Sequence, residues 1–241
     1  MWHDDEVSRE DGEWMLGLAA ELFPLFRSVT GAGLRATLER LGREVPLVMH
    51  EIPSGTSVLD WKVPQEWVFR DAYIADLSGR RVVDARSSNL HVVGYSEPVD
   101  RRIGREELEA HLHSLPDHPD WIPYRSLHFG RGWGFCVSQK QRECLTESDY
   151  RVCIDAEHVD GALSYGEVFL RGTCEEEILV FSHACHPSLA NDNLSGLVVC
   201  TAAARVLAAR PRRLGVRFVF APTTIGSIAW LAGNRSRLAR I

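Results

Sequence analysis

The run Ser182-His183-Ala184-Cys185-His186-Pro187-Ser188-Leu189-Ala190-Asn191-Asp192-Asn193-Leu194-Ser195-Gly196 collects two imidazoles, a thiol and a carboxylate. Neutral imidazole and carboxylate together suit a divalent cation, zinc first. The candidate metal ligands are therefore His183, His186 and Asp192. Which histidine binds stays open at this level. His183 comes first after an apolar run, where a sheet would fix its side chain. His186 is nearer Asp192, and Pro187 stiffens the loop beside it. Each residue also has an ordinary role. Either histidine alone reads as a core or loop histidine, and Asp192 alone reads as a helix N-cap favoured by the dipole. Cys185 beside His186 raises the question of a thiol nucleophile. No oxyanion-hole signature accompanies it, and adjacent side chains seldom face each other productively.

The element before the cluster is Ile178-Leu179-Val180-Phe181, a short apolar run of buried-strand type. The ligand-type residues thus stand where a strand ends and a loop begins, which is where open α/β sheets bind ligands. A helix over 194–210 follows, with Asn191 or Asn193 as its cap. Asn193, Ser195 and Gly196 shape the turn into it. A buried strand over 217–221 and a last helix over 226–238 complete this part.

Further upstream, residues 10–43 read as two helices broken by Pro24, the second capped by Ser28 or Thr30. A strand over 45–52 ends at Pro53-Ser54-Gly55. Residues 57–105 change character. Short β-like runs at 67–69, 73–75, 81–84 and 90–93 are separated by turn signals such as Ser78-Gly79. A charged helix is expected at 105–115, then strands at 134–138, 150–156, 166–171 and 177–181. The fold class is α/β, with a mostly parallel sheet and helices, interrupted by a small β-rich insertion. The core is expected to be incomplete at its C-terminal end. The expected division is a core of residues 1–56 with 106–241, and an inserted domain at 57–105.

Composition narrows the function classes. Of 241 residues 45% are hydrophobic and 25% charged, an ordinary globular balance. A net charge of −6 argues against nucleic acid as partner. Arg205, Arg210, Arg212, Arg213 and Arg217 read as a solvated face and loop. No apolar run reaches the roughly 20 residues that span a bilayer. The acidic start Met1-Trp2-His3-Asp4-Asp5-Glu6 lacks a secretory pattern, so no membrane partner and a cytoplasmic location are expected. The six cysteines contain no C-x-x-C pair and read as reduced thiols.

The order strand, His183-Ala184-Cys185, loop, Asp192-Asn193-Leu194-Ser195-Gly196, helix resembles the co-catalytic zinc aminopeptidases. More closely, the chain resembles a set of bacterial aminopeptidase-like proteins often linked to polysaccharide-biosynthesis loci. Their marks run along nearly the whole chain. They include Leu25-Phe26-Arg27-Ser28-Val29-Thr30-Gly31, Val58-Leu59-Asp60-Trp61-Lys62-Val63-Pro64-Gln65-Glu66-Trp67, Ser88-Asn89-Leu90-His91-Val92-Val93-Gly94-Tyr95-Ser96 and Leu163-Ser164-Tyr165-Gly166-Glu167.

The resemblance implies a zinc-dependent hydrolase acting on a small peptide or amide substrate, with His183 as a zinc ligand and Asp192 as a bridging one. It also implies three departures. The catalytic domain of such proteins continues past residue 241 and supplies a further acidic ligand and a histidine there, so the chain is expected to be truncated. A glutamate pair should follow the strand at 217–221, where Pro222-Thr223-Thr224-Ile225-Gly226-Ser227 stands instead. Cys185 occupies the place of the aspartate that orients the first histidine. These departures predict an impaired hydrolase, or alternatively a non-catalytic binding or scaffold remnant. Self-association is expected if one flank of the sheet is uncovered.

Overall fold

The structure, a computed structural model, describes residues 8–127, 130–222 and 224–241. The chain divides into two compact units, residues 1–63 with 162–241, and Pro64–Gly161. The first unit opens with helices α1 (Arg9–Leu22) and α2 (Ala32–Leu41), strand β1 (Val48–Pro53) and the short pair β2 (Ser57–Val58) and β3 (Trp61–Lys62). The second holds β4 (Glu66–Ala75), β5 (Arg81–Asp84), β6 (Val99–Gly104), α3 (Arg105–Glu109), β7 (Leu112–His113), β8 (Phe135–Cys136), α4 (Gln139–Glu143) and β9 (Asp149–Val159). The chain returns to the first unit with β10 (Ala162–Leu170), β11 (Glu177–His183), α5 (Ser195–Ala208), β12 (Gly215–Ala221) and α6 (Ile225–Gly233).

The first unit is built on a four-stranded sheet in the order β1-β10-β12-β11. The α/β class is as expected, but the sheet is mixed rather than mostly parallel. β11 and β12 are parallel, whereas β10 runs antiparallel to both β1 and β12. Connection length is the reason. Parallel neighbours need a crossover of a dozen or more residues. The segment containing α5 supplies one between β11 and β12, while residues 171–176 between β10 and β11 cannot.

β12 is buried along its whole length, as a strand covered on both faces must be. Val216, Phe218 and Phe220 face a core made with Leu18 and Leu22 of α1, Leu34, Leu38 and Leu41 of α2, and Leu197, Val198 and Ala204 of α5. Val219 and Ala221 pack on the other side with Tyr165 and Trp230. α1 forms because Ser8 and Asp11 make a reciprocal capping box, and it ends just before Pro24. α2 starts after Gly31 without a side-chain cap, so neither Ser28 nor Thr30 has the expected capping role.

Arg217 corrects the reading of the late arginines as solvated. It is 1% exposed, in the middle of β12. Its Nε donates to Glu177 Oε2 at 2.7 Å, and it pairs with Glu167 as well. A charge reads as surface in sequence unless its buried partners, here 40 and 50 residues away, are known.

The second unit carries an antiparallel sheet in the order β5-β4-β9-β6. This β-rich unit runs to Gly161, not to residue 105, because β9 pairs with both β4 and β6. Along β9, Tyr150, Val152, Ile154 and Ala156 are buried and alternate with more exposed residues. That alternation is visible in the sequence, but it does not say which sheet receives the strand. The runs at 67–69 and 73–75 form one strand, bulged between Phe69 and Asp71. Residues 90–93 form no strand, only an isolated bridge from Val92 to Phe135. The helix expected at 105–115 stops at Glu109.

Candidate metal centre

His183 is the last residue of β11, in register with Ala221 at the end of β12. The Ala184 N–H donates to the Ala221 carbonyl at 2.9 Å, so pairing persists one residue further and fixes the backbone that carries His183. The chain then turns through Cys185 and His186 and comes back over Ala190–Leu194. That segment is an irregular wide turn, with non-helical backbone at Asp192 (φ −93°, ψ 74°) and Asn193 (φ 128°, ψ −39°). It brings the Asp192 carboxylate between the two imidazoles. Oδ1 lies 2.9 Å from His183 Nε2, and Oδ2 lies 3.5 Å from His186 Nε2. The rings stand edge to face with centroids 5.0 Å apart. All three predicted ligands are therefore brought together.

His183 Nε2 is buried and makes no hydrogen bond, although Asp192 Oδ1 is within reach. The carboxylate lies outside the direction a ring N–H requires. A buried ring nitrogen facing a carboxylate in this way is an arrangement that a cation between them would satisfy. The ligand atoms of His183, Cys185 and His186 also lie within 4.8 Å of one another, and Cys185 Sγ is 3.0 Å from His186 Nδ1. Imidazole, carboxylate and thiolate are all zinc ligands, so the donor set fits that ion.

Asn193 holds this arrangement. It is buried, and its Oδ1 accepts from the Cys185 N–H at 3.0 Å and the His186 N–H at 3.2 Å. Its Nδ2 donates to the His186 carbonyl at 3.2 Å and to the Asp192 carbonyl. Neither Asn193 nor Asp192 caps α5, whose first turn has no side-chain cap. The positive φ at Asn193 costs of order 1–3 kcal/mol, strain of the kind found at functional sites. Gly196 lets α5 begin hard against β11, because a Cβ there would sit 2.9 Å from Ser182 Oγ.

Arg27 is the residue the sequence does not mark as part of the site. It is fully buried, its Nε donates to the His186 carbonyl at 3.0 Å, and its Nη1 donates to the Leu22 carbonyl. Burial pushes its pKa down to about 10, opposed by the charge of Cys185. Its role depends on a contact 159 residues away, which no local signal carries.

Of the pair Thr223-Thr224, Thr223 lies outside the described residues. Thr224 has φ 54° and precedes α6. Pro222–Ser227 leaves β12 at the end of the sheet that bears His183 and contains no carboxylate. Among the described residues, no helix is long and apolar enough to cross a membrane.

A model of the family described as "Domain of unknown function (DUF4910)" matches residues 16–241. A Clostridium acetobutylicum protein described as a polysaccharide biosynthesis protein with an aminopeptidase-like domain is 44% identical over 234 residues, covering 97% of this chain and 54% of that protein. A crystal structure of a protein from the same organism, described as a peptidase, superposes with a TM-score of 0.95 at 44% identity, over 96% of this chain and 55% of that one. The chain thus spans about half the length of these relatives. A zinc aminopeptidase from Bacillus subtilis shares the fold at 12% identity, with a TM-score of 0.57 over 87% of this chain and 60% of that one.

Proposed function

Since this chain belongs to the DUF4910 family and has the aminopeptidase-like α/β fold, we propose that it is a zinc-dependent, aminopeptidase-like hydrolase of peptide or amide bonds, impaired in turnover. The observation that carries this is the convergence of His183, His186 and Asp192 at the C-terminal end of β11. These residues would hold zinc. Zinc supplies Lewis acidity and lowers the pKa of water. The chain's own part is positional. Asn193 clamps the loop that carries His186, and the β11–β12 pairing fixes His183. The site needs a carboxylate to take the proton from attacking water, and Pro222–Ser227 offers none. That absence favours a second reading, a binding module that keeps the metal and has lost turnover.

The test is an aminoacyl-amide hydrolysis assay with zinc and with chelator. The expected result is slow turnover that chelation abolishes and Asp192→Ala removes. No zinc-dependent turnover at all would leave the binding module. Turnover at ordinary enzyme rates would contradict the impairment.

A further inference from the structure

We propose that Cys185 is itself a metal ligand, so that His183, Cys185 and His186 form a nitrogen–sulfur–nitrogen set that selects a thiophilic ion such as Zn²⁺ or Co²⁺ over Mg²⁺ or Mn²⁺. This rests on the zinc reading above and adds a donor to it. Three observations carry it.

The first is convergence. The ligand atoms of the three residues lie within 4.8 Å of one another. Zn–S near 2.3 Å and Zn–N near 2.0 Å place tetrahedral neighbours roughly 3.5 Å apart. Cys185 Sγ lies beside the His186 ring, 3.0 Å from Nδ1, so a modest rotation of either side chain brings the sulfur and one ring nitrogen to that spacing around a single ion. The second is placement. The backbone N–H groups of Cys185 and His186 are both held by one buried atom, Asn193 Oδ1. The two side chains therefore leave a dipeptide fixed before any ion arrives, which lowers the ordering cost of binding. The third is charge. Arg27 is wholly buried, its Nη2 makes no hydrogen bond, and its Nε and Nη1 donate to carbonyls. A buried cation is costly without a negative neighbour. A metal-bound thiolate at Cys185 supplies negative charge on the loop that Arg27 already contacts.

Ligand softness then sets selectivity. Thiolate favours zinc and its relatives, whereas magnesium and manganese prefer oxygen donors. The rival role for Cys185 is as an acceptor for the His186 ring, steering the imidazole without touching the ion. Spectroscopy separates the two, because only a ligand transfers charge to the metal.

The experiment loads the full chain with Co²⁺ alone and with Zn²⁺ alone. It compares the wild type with Cys185→Ser, and with Cys144→Ser as a control on an exposed thiol. The expected result is a near-ultraviolet thiolate-to-cobalt band in the wild type and the control, lost in Cys185→Ser. X-ray absorption of the zinc form should show one sulfur neighbour at about 2.3 Å. The preference for zinc over manganese should weaken in the variant. Cys185→Ala serves if the serine variant does not fold. Cobalt bound without the band, a zinc shell without sulfur, or a band that survives loss of Cys185 each overturns the proposal while leaving the zinc reading standing. Failure of the wild type to bind either ion overturns both.

Discussion

The two ends of β11 carry charged clusters of opposite character. At the start of the strand, Glu177 meets Arg217, which is buried, donates to both oxygens of Glu177 and pairs with Glu167. The Arg217 guanidinium also lies 4.1 Å over the Phe169 ring, and Trp230 Nε1 donates to Glu167 at 2.9 Å. At the strand's end, His183 and His186 approach Asp192, yet His183 Nε2 makes no hydrogen bond. The first cluster contains cation and anions together and is closed by bonds among its own members. The second gathers electron-pair donors and leaves one unsatisfied. Buried polar groups are normally paired, and His183 Nε2 stands with Arg27 Nη2 among the exceptions.

If the first cluster is closed, breaking it should cost most. Arg217→Ala strands Glu167 and Glu177 without their cation and should destabilise the chain by about 3–5 kcal/mol in urea unfolding. Asp192→Ala should change metal-free stability by less than about 0.5 kcal/mol, because the Asp192 side chain is 58% exposed and its approaches to His183 and His186 are solvent-screened. Equal costs at both ends would remove the distinction.

Asn193 gives the next largest effect, and it separates strain from bonding. Asn193→Ala loses the clamp on Cys185 and His186 and keeps an unfavourable positive φ. Asn193→Gly loses the same bonds but adopts that backbone freely. Both should be destabilised, alanine by about 1 kcal/mol more than glycine. Chemical denaturation of the two variants decides it, and equal losses would mean that the backbone there is relaxed.

The second unit offers a smaller check. Asp76 is buried, and its carboxylate accepts from Ser78 Oγ at 2.6 Å, the Ser78 and Arg80 N–H groups and Arg80 Nε. The Ser78 hydroxyl and the other donors outweigh desolvation and hold its pKa at about 2. A depressed carboxylate stabilises the fold above its unfolded pKa and loses that contribution as pH falls through the folded value. The stability gap between wild type and Asp76→Asn should therefore be full at neutral pH and shrink from about pH 4 down to about 2. A gap that does not change with pH would contradict the closed network.

Among the described residues β11 is also the edge of its sheet, with Ile178 46% and Phe181 37% exposed. Unpaired apolar edges favour association. Sedimentation should show concentration-dependent self-association that Phe181→Lys weakens, and a monomer unchanged by concentration would count against it.

Much of the candidate metal centre was legible because it is local. The apolar run before His183 announces a strand, and the ligand-type residues fall within ten positions after it. The α/β class was legible for a similar reason, since helix and strand periods alternate along the chain. What sequence did not carry was long-range or conformational. Arg217 read as solvated because its partners lie far away in the chain. β9 was visible as a strand but was assigned to the wrong unit, because alternation says nothing about partners. Asn193 read as a cap because its residue type is common there, and its backbone angle has no signature in the sequence. Cys185 read as a displaced aspartate, whereas the fold brings its sulfur beside both histidines.

We propose that the side chains gathered at the end of β11 hold a divalent cation. Calorimetric zinc titration of the wild type, His183→Ala, His186→Ala and Asp192→Ala tests it most directly. The wild type should bind zinc with measurable heat, and a chelator should reverse the binding. His183→Ala and Asp192→Ala should lose most of the heat, His186→Ala should bind more weakly, and all three should remain folded. Four proteins that bind zinc alike, or a wild type that binds none, would contradict the account.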